Sequence, residues 1–166
     1  MMTVATYDFI VIGSGIVGLS VATELLKRQP NSSIAIVEKE SAPGVHASGR
    51  NSGVLHSGIY YTNDTMKAKV CAKGGRRMIE FAIEENIDFS QDGKAIIATS
   101  EEQLPIVDKL LNNAANNKIP AERIDNKQLM ELEPYASPDS LAAIYCKTTA
   151  VIDSKAVVGR LHEKLI

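Results

Sequence analysis

The stretch that decides the fold is YDFIVIGSGIVG, residues 7–18. Its first half, Tyr7–Ile12, is apolar and rich in β-branched residues, which is typical of a strand buried on both faces. From Ile16 to Gln29 apolar residues recur at helical spacing, and Pro30 ends the predicted helix. A second apolar run, Ile34–Glu38, predicts another strand. Strand, helix and strand within about thirty residues form a βαβ unit, which predicts a parallel sheet and an α/β fold.

The turn between the first strand and the helix carries the pattern G-x-G-x-x-G, from Gly13 to Gly18. Its place between a strand and a helix makes it a candidate dinucleotide-binding turn. Gly13 permits the tight turn, Gly15 has no Cβ to obstruct a pyrophosphate, and Gly18 lets helix and strand pack closely. Ile16 and Val17 open the helix, whose free N–H groups and positive dipole end would face the phosphates.

An acidic residue, Glu38, ends the second strand about 20 residues beyond the third glycine, where it can accept hydrogen bonds from ribose hydroxyls. The motif by itself does not separate NAD from FAD. The loop that follows offers hydroxyls, an arginine and amides, which suit a second phosphate contact and the edge of a flavin. The remaining candidate cofactor-binding residues are therefore Lys39, Ser48, Arg50, Asn51 and Ser52. A glycine-rich turn and a solvated loop without any ligand are the alternative interpretation.

Composition excludes several classes of protein. The 166 residues include 18 Lys and Arg against 20 Asp and Glu, and this net charge of −2 argues against a nucleic-acid partner. Two cysteines, Cys71 and Cys146, are too few for a disulfide scaffold or a four-ligand zinc site, and no metal-ligand spacing occurs. Neither a membrane span nor a signal peptide is predicted, so we expect a soluble, cytoplasmic chain.

Beyond the loop, periodicity and capping signals predict further helices and strands. Ser100 with Gln103 and Asp125 with Gln128 resemble capping boxes, and Asp153 can cap a last helix. The predicted elements are a helix at 64–86, a strand at 94–99, a helix at 101–117, a short helix after 125, a strand at 141–146 and the terminal helix.

Residues 46–61, HASGRNSGVLHSGIYY, resemble the hallmark loop of L-2-hydroxyglutarate oxidases and dehydrogenases, which belong to the D-amino-acid-oxidase-like superfamily of FAD enzymes. The resemblance spans nearly the whole chain, in order. It continues through Lys67–Cys71, Gly93-Lys94, Glu133-Pro134, Leu141–Ile144 and Val151–Asp153.

The resemblance implies FAD as cofactor and a discontinuous, Rossmann-like FAD-binding domain beside part of an α+β substrate domain. On this basis 1–90 is the first part of the FAD-binding domain, 91–150 is a partial substrate domain, and 151–166 returns to the FAD-binding domain. The family's members are longer, so we expect a truncated chain. Apolar faces meant for absent strands would then favour association.

The implied reaction is oxidation of a small 2-hydroxy acid, similar to L-2-hydroxyglutarate, to the 2-oxo acid, with hydride transfer to the flavin. His56 is the candidate catalytic residue, because a neutral histidine suits removal of the hydroxyl proton near neutral pH. A histidine that only hydrogen-bonds the loop is the alternative. His46 is expected to be a loop or FAD contact, and His162 a surface residue. Oxygen or a quinone would accept the electrons, and peripheral membrane contact of the intact protein stays open.

Two other functions remain open from the sequence. Arg50, Asp92 and Thr149-Ala150 depart from the family pattern and suggest a neighbouring subgroup. The substrate of the FAD enzyme could accordingly be an amino acid or glycerol 3-phosphate. The alternative of another class is a non-catalytic dinucleotide-binding fragment.

Overall fold

A computed structural model describes residues 5–166 of the chain. It is mixed α/β, as the sequence predicted. Its elements in chain order are β1 (Phe9–Ile12), α1 (Ile16–Arg28), β2 (Ile34–Val37), β3 (Val54–Leu55), α2 (Met66–Glu84), β4 (Phe89–Ser90), β5 (Lys94–Ala98), a 3-10 turn (Glu101–Gln103), α3 (Leu104–Asn116), β6 (Ala121–Ile124), α4 (Asn126–Leu132), β7 (Ala142–Cys146), β8 (Ala150–Ile152) and α5 (Ser154–Glu163).

The chain forms two compact units. The first comprises residues up to Gly53 together with Asp153–Ile166, and the second is Val54–Ile152. The sequence-based division instead had boundaries after 90 and after 150. The assignment of 91–150 to a substrate domain stays a prediction.

In the first unit β1 and β2 pair in parallel, with Phe9 opposite Ile34, so the predicted βαβ unit is present. The expectation that the first strand is buried on both faces is wrong. Burial alternates along β1, where Ile10 is 64% and Ile12 88% exposed. The physical reason is the width of the sheet, because two strands with a helix against one face leave the other face uncovered.

Helix α5 packs against α1 in this unit. Its predicted cap is confirmed, since the Asp153 carboxylate accepts hydrogen bonds from the backbone N–H groups of Lys155 and Ala156 at 2.9 and 3.0 Å. The buried side chains of the two helices are Leu19 and Ala22 of α1 and Val157, Val158 and Leu161 of α5.

The second unit contains two antiparallel sheets. One has the order β5-β7-β6, with Lys94 and Ala121 both opposite Cys146. Helix α3 contacts this sheet along β6 and β7. The other sheet, β3-β8-β4, pairs Val54 with Val151 and Phe89 with Ile152. The main hydrophobic core of the unit consists of Ile59, Ala98, Val107, Leu110, Ala114, Ile119, Ile144 and Cys146.

Two predicted capping boxes have different outcomes. The one at Asp125 and Gln128 is confirmed. The one at Ser100 is wrong, because Ser100 makes no capping hydrogen bond and Gln103 accepts instead from the Thr99 N–H at 2.8 Å. The chain makes a 3-10 turn there, and the α-helix begins only at Leu104, with Pro105 in its first turn.

Both cysteines are free thiols, Cys146 buried and Cys71 half-buried, and burial raises the pKa of each. No helix among residues 5–166 has both the length and the apolar character that a membrane crossing requires. The same residues hold no cluster of His, Cys, Asp and Glu side chains that could bind a metal ion.

Candidate functional site

The glycine turn between β1 and α1 depends on the special backbone of its first residue. Gly13 has a φ of +97°, in the region that side-chain-bearing residues rarely adopt. Its N–H donates to the carbonyl oxygen of Val37 at 2.7 Å, so the turn is tied to the end of β2. The turn therefore holds the first glycine beside the strand that leads into Glu38.

The third glycine marks a close approach of helix and turn. A Cβ added to Gly18 would lie 2.0 Å from the carbonyl oxygen of Gly13 and 3.3 Å from Cγ1 of Val11. The backbone atoms are so close here that no side chain fits. This close packing of helix and turn is the role expected of the third glycine.

The second glycine lies beside the loop that follows β2. A Cβ at Gly15 would lie 3.0 Å from the Ser48 hydroxyl, which accepts a hydrogen bond from the Ile16 N–H at 3.0 Å. Ser48 thus caps α1 from a distant part of the chain. The N–H groups of Gly15, Val17 and Gly18 donate to no other group among residues 5–166. They remain polarised donors at a helix N-terminus, the arrangement that binds phosphates.

Glu38 is held against this turn by four donors. Its Oε2 accepts from the Ser14 N–H at 2.7 Å and the Ser14 hydroxyl at 2.8 Å. Its Oε1 accepts from the N–H groups of Lys39 and Glu40 at 2.8 and 3.0 Å. These bonds, led by the Ser14 N–H, lower the pKa of Glu38 to about 2. The carboxylate is therefore charged at neutral pH and acts only as an acceptor.

A cavity of about 490 Å³ opens beside Ser14 and Glu38. Ile36, Pro43 and His162 are among the side chains that line it, so it joins an apolar wall to the carboxylate. His162, predicted to be a surface residue, is half-buried on this wall. Helical spacing on α5 could not show it, because the wall depends on the packing of α5 against α1.

The loop after β2 is shaped by its own polar groups. Asn51 donates to the carbonyl oxygens of Ala47 and Ser48 at 3.0 and 2.9 Å and accepts from the Gly53 N–H at 2.8 Å. These bonds use the side chain's acceptor and both donors, so Asn51 orders the loop. Ser52 is exposed on the same loop.

Basic side chains border this loop as well. Arg50 is exposed and lines a cavity of about 330 Å³ together with Lys155. The other candidate contacts lie along the stretch after Glu38. Lys39 is exposed with its Nζ 3.5 Å from Glu40, and His46 Nε2 lies 2.7 Å from the same carboxylate.

His56, the candidate catalytic residue, belongs to the second unit. It is exposed and lines a cavity of about 430 Å³ whose wall also includes Arg76, Glu80 and Lys118. Its backbone carbonyl accepts a hydrogen bond from the Cys71 thiol at 3.1 Å. The imidazole itself has no hydrogen-bond partner among residues 5–166, so the loop-bonding alternative finds no contact there.

Comparisons of the sequence with known proteins give one family and a set of related enzymes. The family model described as FAD dependent oxidoreductase matches residues 8–166. The L-2-hydroxyglutarate dehydrogenase of Indibacter alkaliphilus is 39% identical over 159 residues, which cover 95% of this chain and 39% of that protein. The human mitochondrial L-2-hydroxyglutarate dehydrogenase is 38% identical over 92% of this chain and 33% of its own length. The chain thus spans little more than a third of the curated relatives that it matches.

Solved structures share the fold at lower identity. An L-α-glycerophosphate oxidase from Mycoplasma pneumoniae with FAD bound superposes with a TM-score of 0.85 at 23% identity, over 98% of this chain and 44% of that one. An L-proline dehydrogenase from P. horikoshii has a TM-score of 0.85 at 20% identity, over 98% and 42%.

Proposed function

This chain belongs to the FAD-dependent oxidoreductase family, and from that premise we propose that it supplies the adenosine-binding part of the FAD site in an enzyme that oxidises a small 2-hydroxy acid. The proposed substrate resembles L-2-hydroxyglutarate, and the product is the 2-oxo acid. The observation that carries the proposal is the glycine turn, in which Gly18 approaches Gly13 too closely for any side chain and Glu38 is bonded to Ser14.

The residues of the turn fit the adenosine diphosphate part of FAD. The free N–H groups of Gly15, Val17 and Gly18 can donate to the pyrophosphate. The missing Cβ of Gly15 leaves room for the Ser48 hydroxyl, which caps the neighbouring Ile16 N–H. Arg50 and Ser52 remain proposed contacts from the neighbouring loop. Asn51, whose hydrogen-bonding groups are used within the loop, is proposed to act by positioning it.

Glu38 is proposed to bind the ribose. Four donors already occupy about four acceptor positions on its carboxylate, so a ribose hydroxyl must replace one of them. The Ser14 hydroxyl is the donor that can rotate away, because the other three donors are backbone N–H groups, one in the glycine turn and two directly after Glu38. The exchange conserves the number of hydrogen bonds, which keeps its cost low.

FAD, when bound, supplies the electron sink for the hydride. The chain's own contribution to the chemistry is proposed to be His56, whose neutral imidazole takes the proton of the substrate hydroxyl. Exposure of the ring to a cavity, and its lack of a partner among residues 5–166, support this role over a purely structural one.

The substrate class rests on the sequence relatives. Matches at 36–41% identity are named L-2-hydroxyglutarate dehydrogenases, whereas the glycerophosphate and amino-acid enzymes among the structural neighbours share at most 23%. The closer similarity favours a 2-hydroxy acid over an amino acid or glycerol 3-phosphate. Oxygen or a quinone as electron acceptor and a cytoplasmic location complete the proposal.

Anaerobic flavin bleaching tests the substrate. A version extended to the length of its relatives would be purified with FAD and mixed separately with L-2-hydroxyglutarate, D-2-hydroxyglutarate, glycerol 3-phosphate and L-proline. We expect rapid loss of the flavin absorbance with L-2-hydroxyglutarate alone. Bleaching by glycerol 3-phosphate or an amino acid would reassign the substrate. A flavin that none of these reduces would favour the non-catalytic interpretation.

A further inference from the structure

The second unit contains a further, basic cavity, which shares Arg76 and Lys118 with the wall of the His56 cavity. It measures about 500 Å³ and lies between the first half of α2 and the end of α3. We define the basic cavity by the polar side chains on its wall that the argument uses, namely Lys69, Lys73, Arg76, Asn116, Asn117 and Lys118.

Basic residues are concentrated at this cavity, and few acidic residues are present to neutralise their charge. Five basic residues and no acidic residue lie between Asp64 and Glu80, and no carboxylate lines the basic cavity. Lys69 helps to lower the pKa of Asp64, after the Thr62 hydroxyl, which contributes most. Among residues 5–166, Lys73, Arg76 and Lys118 form no salt bridge.

Folding does not account for this arrangement. Lys69, Lys73 and Arg76 follow one another at spacings of four and three on one face of α2, where like charges repel. Lys69 also lies in the first turn of the helix, where the macrodipole disfavours a cation. Charges that weaken the helix are expected where a ligand compensates them.

The wall opposite α2 is ordered by a partly buried hydrogen bond. The Asn117 side chain donates to the carbonyl oxygen of Tyr61 at 2.8 Å, which fixes the segment after α3 against the start of α2. Lys118, with a positive φ of 54°, follows in a conformation that turns the chain back toward the sheet. This turn places Lys118 on the wall of the basic cavity, facing the cations of α2.

We propose that the basic cavity binds a phosphate group. Lysine ammonium groups act as point charges toward phosphate, and an arginine offers two parallel N–H donors to its oxygens. Four cations suit a doubly charged phosphate ester better than a single carboxylate. The volume admits either a small phosphorylated metabolite or a phospholipid headgroup, which share this chemistry. The site is independent of the glycine turn, which belongs to the other unit, and Lys69 and Lys73 do not line the His56 cavity.

Calorimetric titration of the 166-residue chain with inorganic phosphate tests the proposal, against sodium chloride at equal ionic strength. The double variant Lys69→Gln, Lys73→Gln removes two cations that line the basic cavity but not the His56 cavity. Lys127→Gln is the matched control, an exposed lysine on α4 of the same unit. We expect phosphate binding that the double variant weakens at least about tenfold, since each charge-assisted hydrogen bond contributes that order of affinity. The control variant should bind as the unchanged chain does.

A second arm separates the two sources of the phosphate group. Vesicles of phosphatidylcholine, with and without phosphatidylglycerol, would be sedimented with each variant. Binding to anionic vesicles that the double variant loses and the control keeps identifies a lipid headgroup. Phosphate binding without vesicle binding identifies a soluble ligand, and both results support the site.

Two results overturn the proposal. One is the absence of binding to both phosphate and anionic vesicles. The other is equal weakening by the double variant and by Lys127→Gln, which would show general charge attraction. Both lysines of the double variant are exposed, so far-UV circular dichroism should confirm an unchanged fold. Neither the phosphate titration nor the vesicle experiment depends on whether the chain binds FAD.

Discussion

Substitution of Gly18 by alanine tests the geometry of the glycine turn through stability alone. The new Cβ would lie 2.0 Å from the Gly13 carbonyl oxygen, whereas ordinary contacts begin at 3.4 Å. Helix and turn would have to separate by about 1.4 Å, and overpacking of this kind costs about 1–3 kcal/mol. For a chain of this size the melting temperature should fall by about 2–12 °C.

The matched control is Gly159→Ala in α5, where an added Cβ meets no atom within 4 Å. Alanine in an open helix position stabilises by about 0.5–1 kcal/mol relative to glycine, so the control should melt at a higher temperature. Differential scanning calorimetry of both variants gives the comparison. If Gly18→Ala melts at or above the temperature of the unchanged chain, the close approach of turn and helix is refuted.

The remaining predictions concern the cofactor, the catalytic residue and acid stability. Gly15→Val should abolish flavin content in a version of full family length, because its branches would reach the Ser48 hydroxyl and the pyrophosphate position; a normal absorbance ratio would contradict this. His56→Ala should retain FAD but slow flavin reduction about 10²–10⁴-fold in stopped flow, and an unchanged rate would exclude it as a base. Because folding lowers the pKa of Glu38 to about 2, the stability it adds should be complete above its unfolded pKa and lost as pH falls from about 4.5 toward 2. Glu38→Gln should flatten that part of the stability profile in urea titrations, whereas the exposed control Glu131→Gln should not.

The parts of the fold that the sequence predicted are those with local causes. The run from β1 to β2 is encoded by its own periodicity and glycines, and the Asp153 cap depends on residues two and three positions away. The short strands β3, β4 and β8 were not predicted, because each has only two or three residues and pairs across a long separation, as Val54 does with Val151.

In the candidate site, too, the features that could be predicted are those with local causes. The glycine spacing and Glu38 could be read from the chain, since their roles follow from one turn and one strand end. The two hydrogen bonds from Ser14 to Glu38 depend on the pairing of β1 with β2, and the capping of α1 by Ser48 depends on how the loop returns to the helix. The wall position of His162 requires the packing of α5. These features arise from tertiary contacts that no local pattern specifies.

The central claim is that the turn from Gly13 to Gly18, with Glu38, holds the adenosine diphosphate part of FAD. Titration of the ¹⁵N-labelled chain with FAD, followed by NMR, tests it directly. We predict weak binding, because the chain spans little more than a third of the length of its curated relatives, and amide shifts confined mainly to residues 13–18 and 38–40. Addition of L-2-hydroxyglutarate and an artificial electron acceptor should produce no turnover. Shifts that leave the glycine turn unaffected would contradict the account.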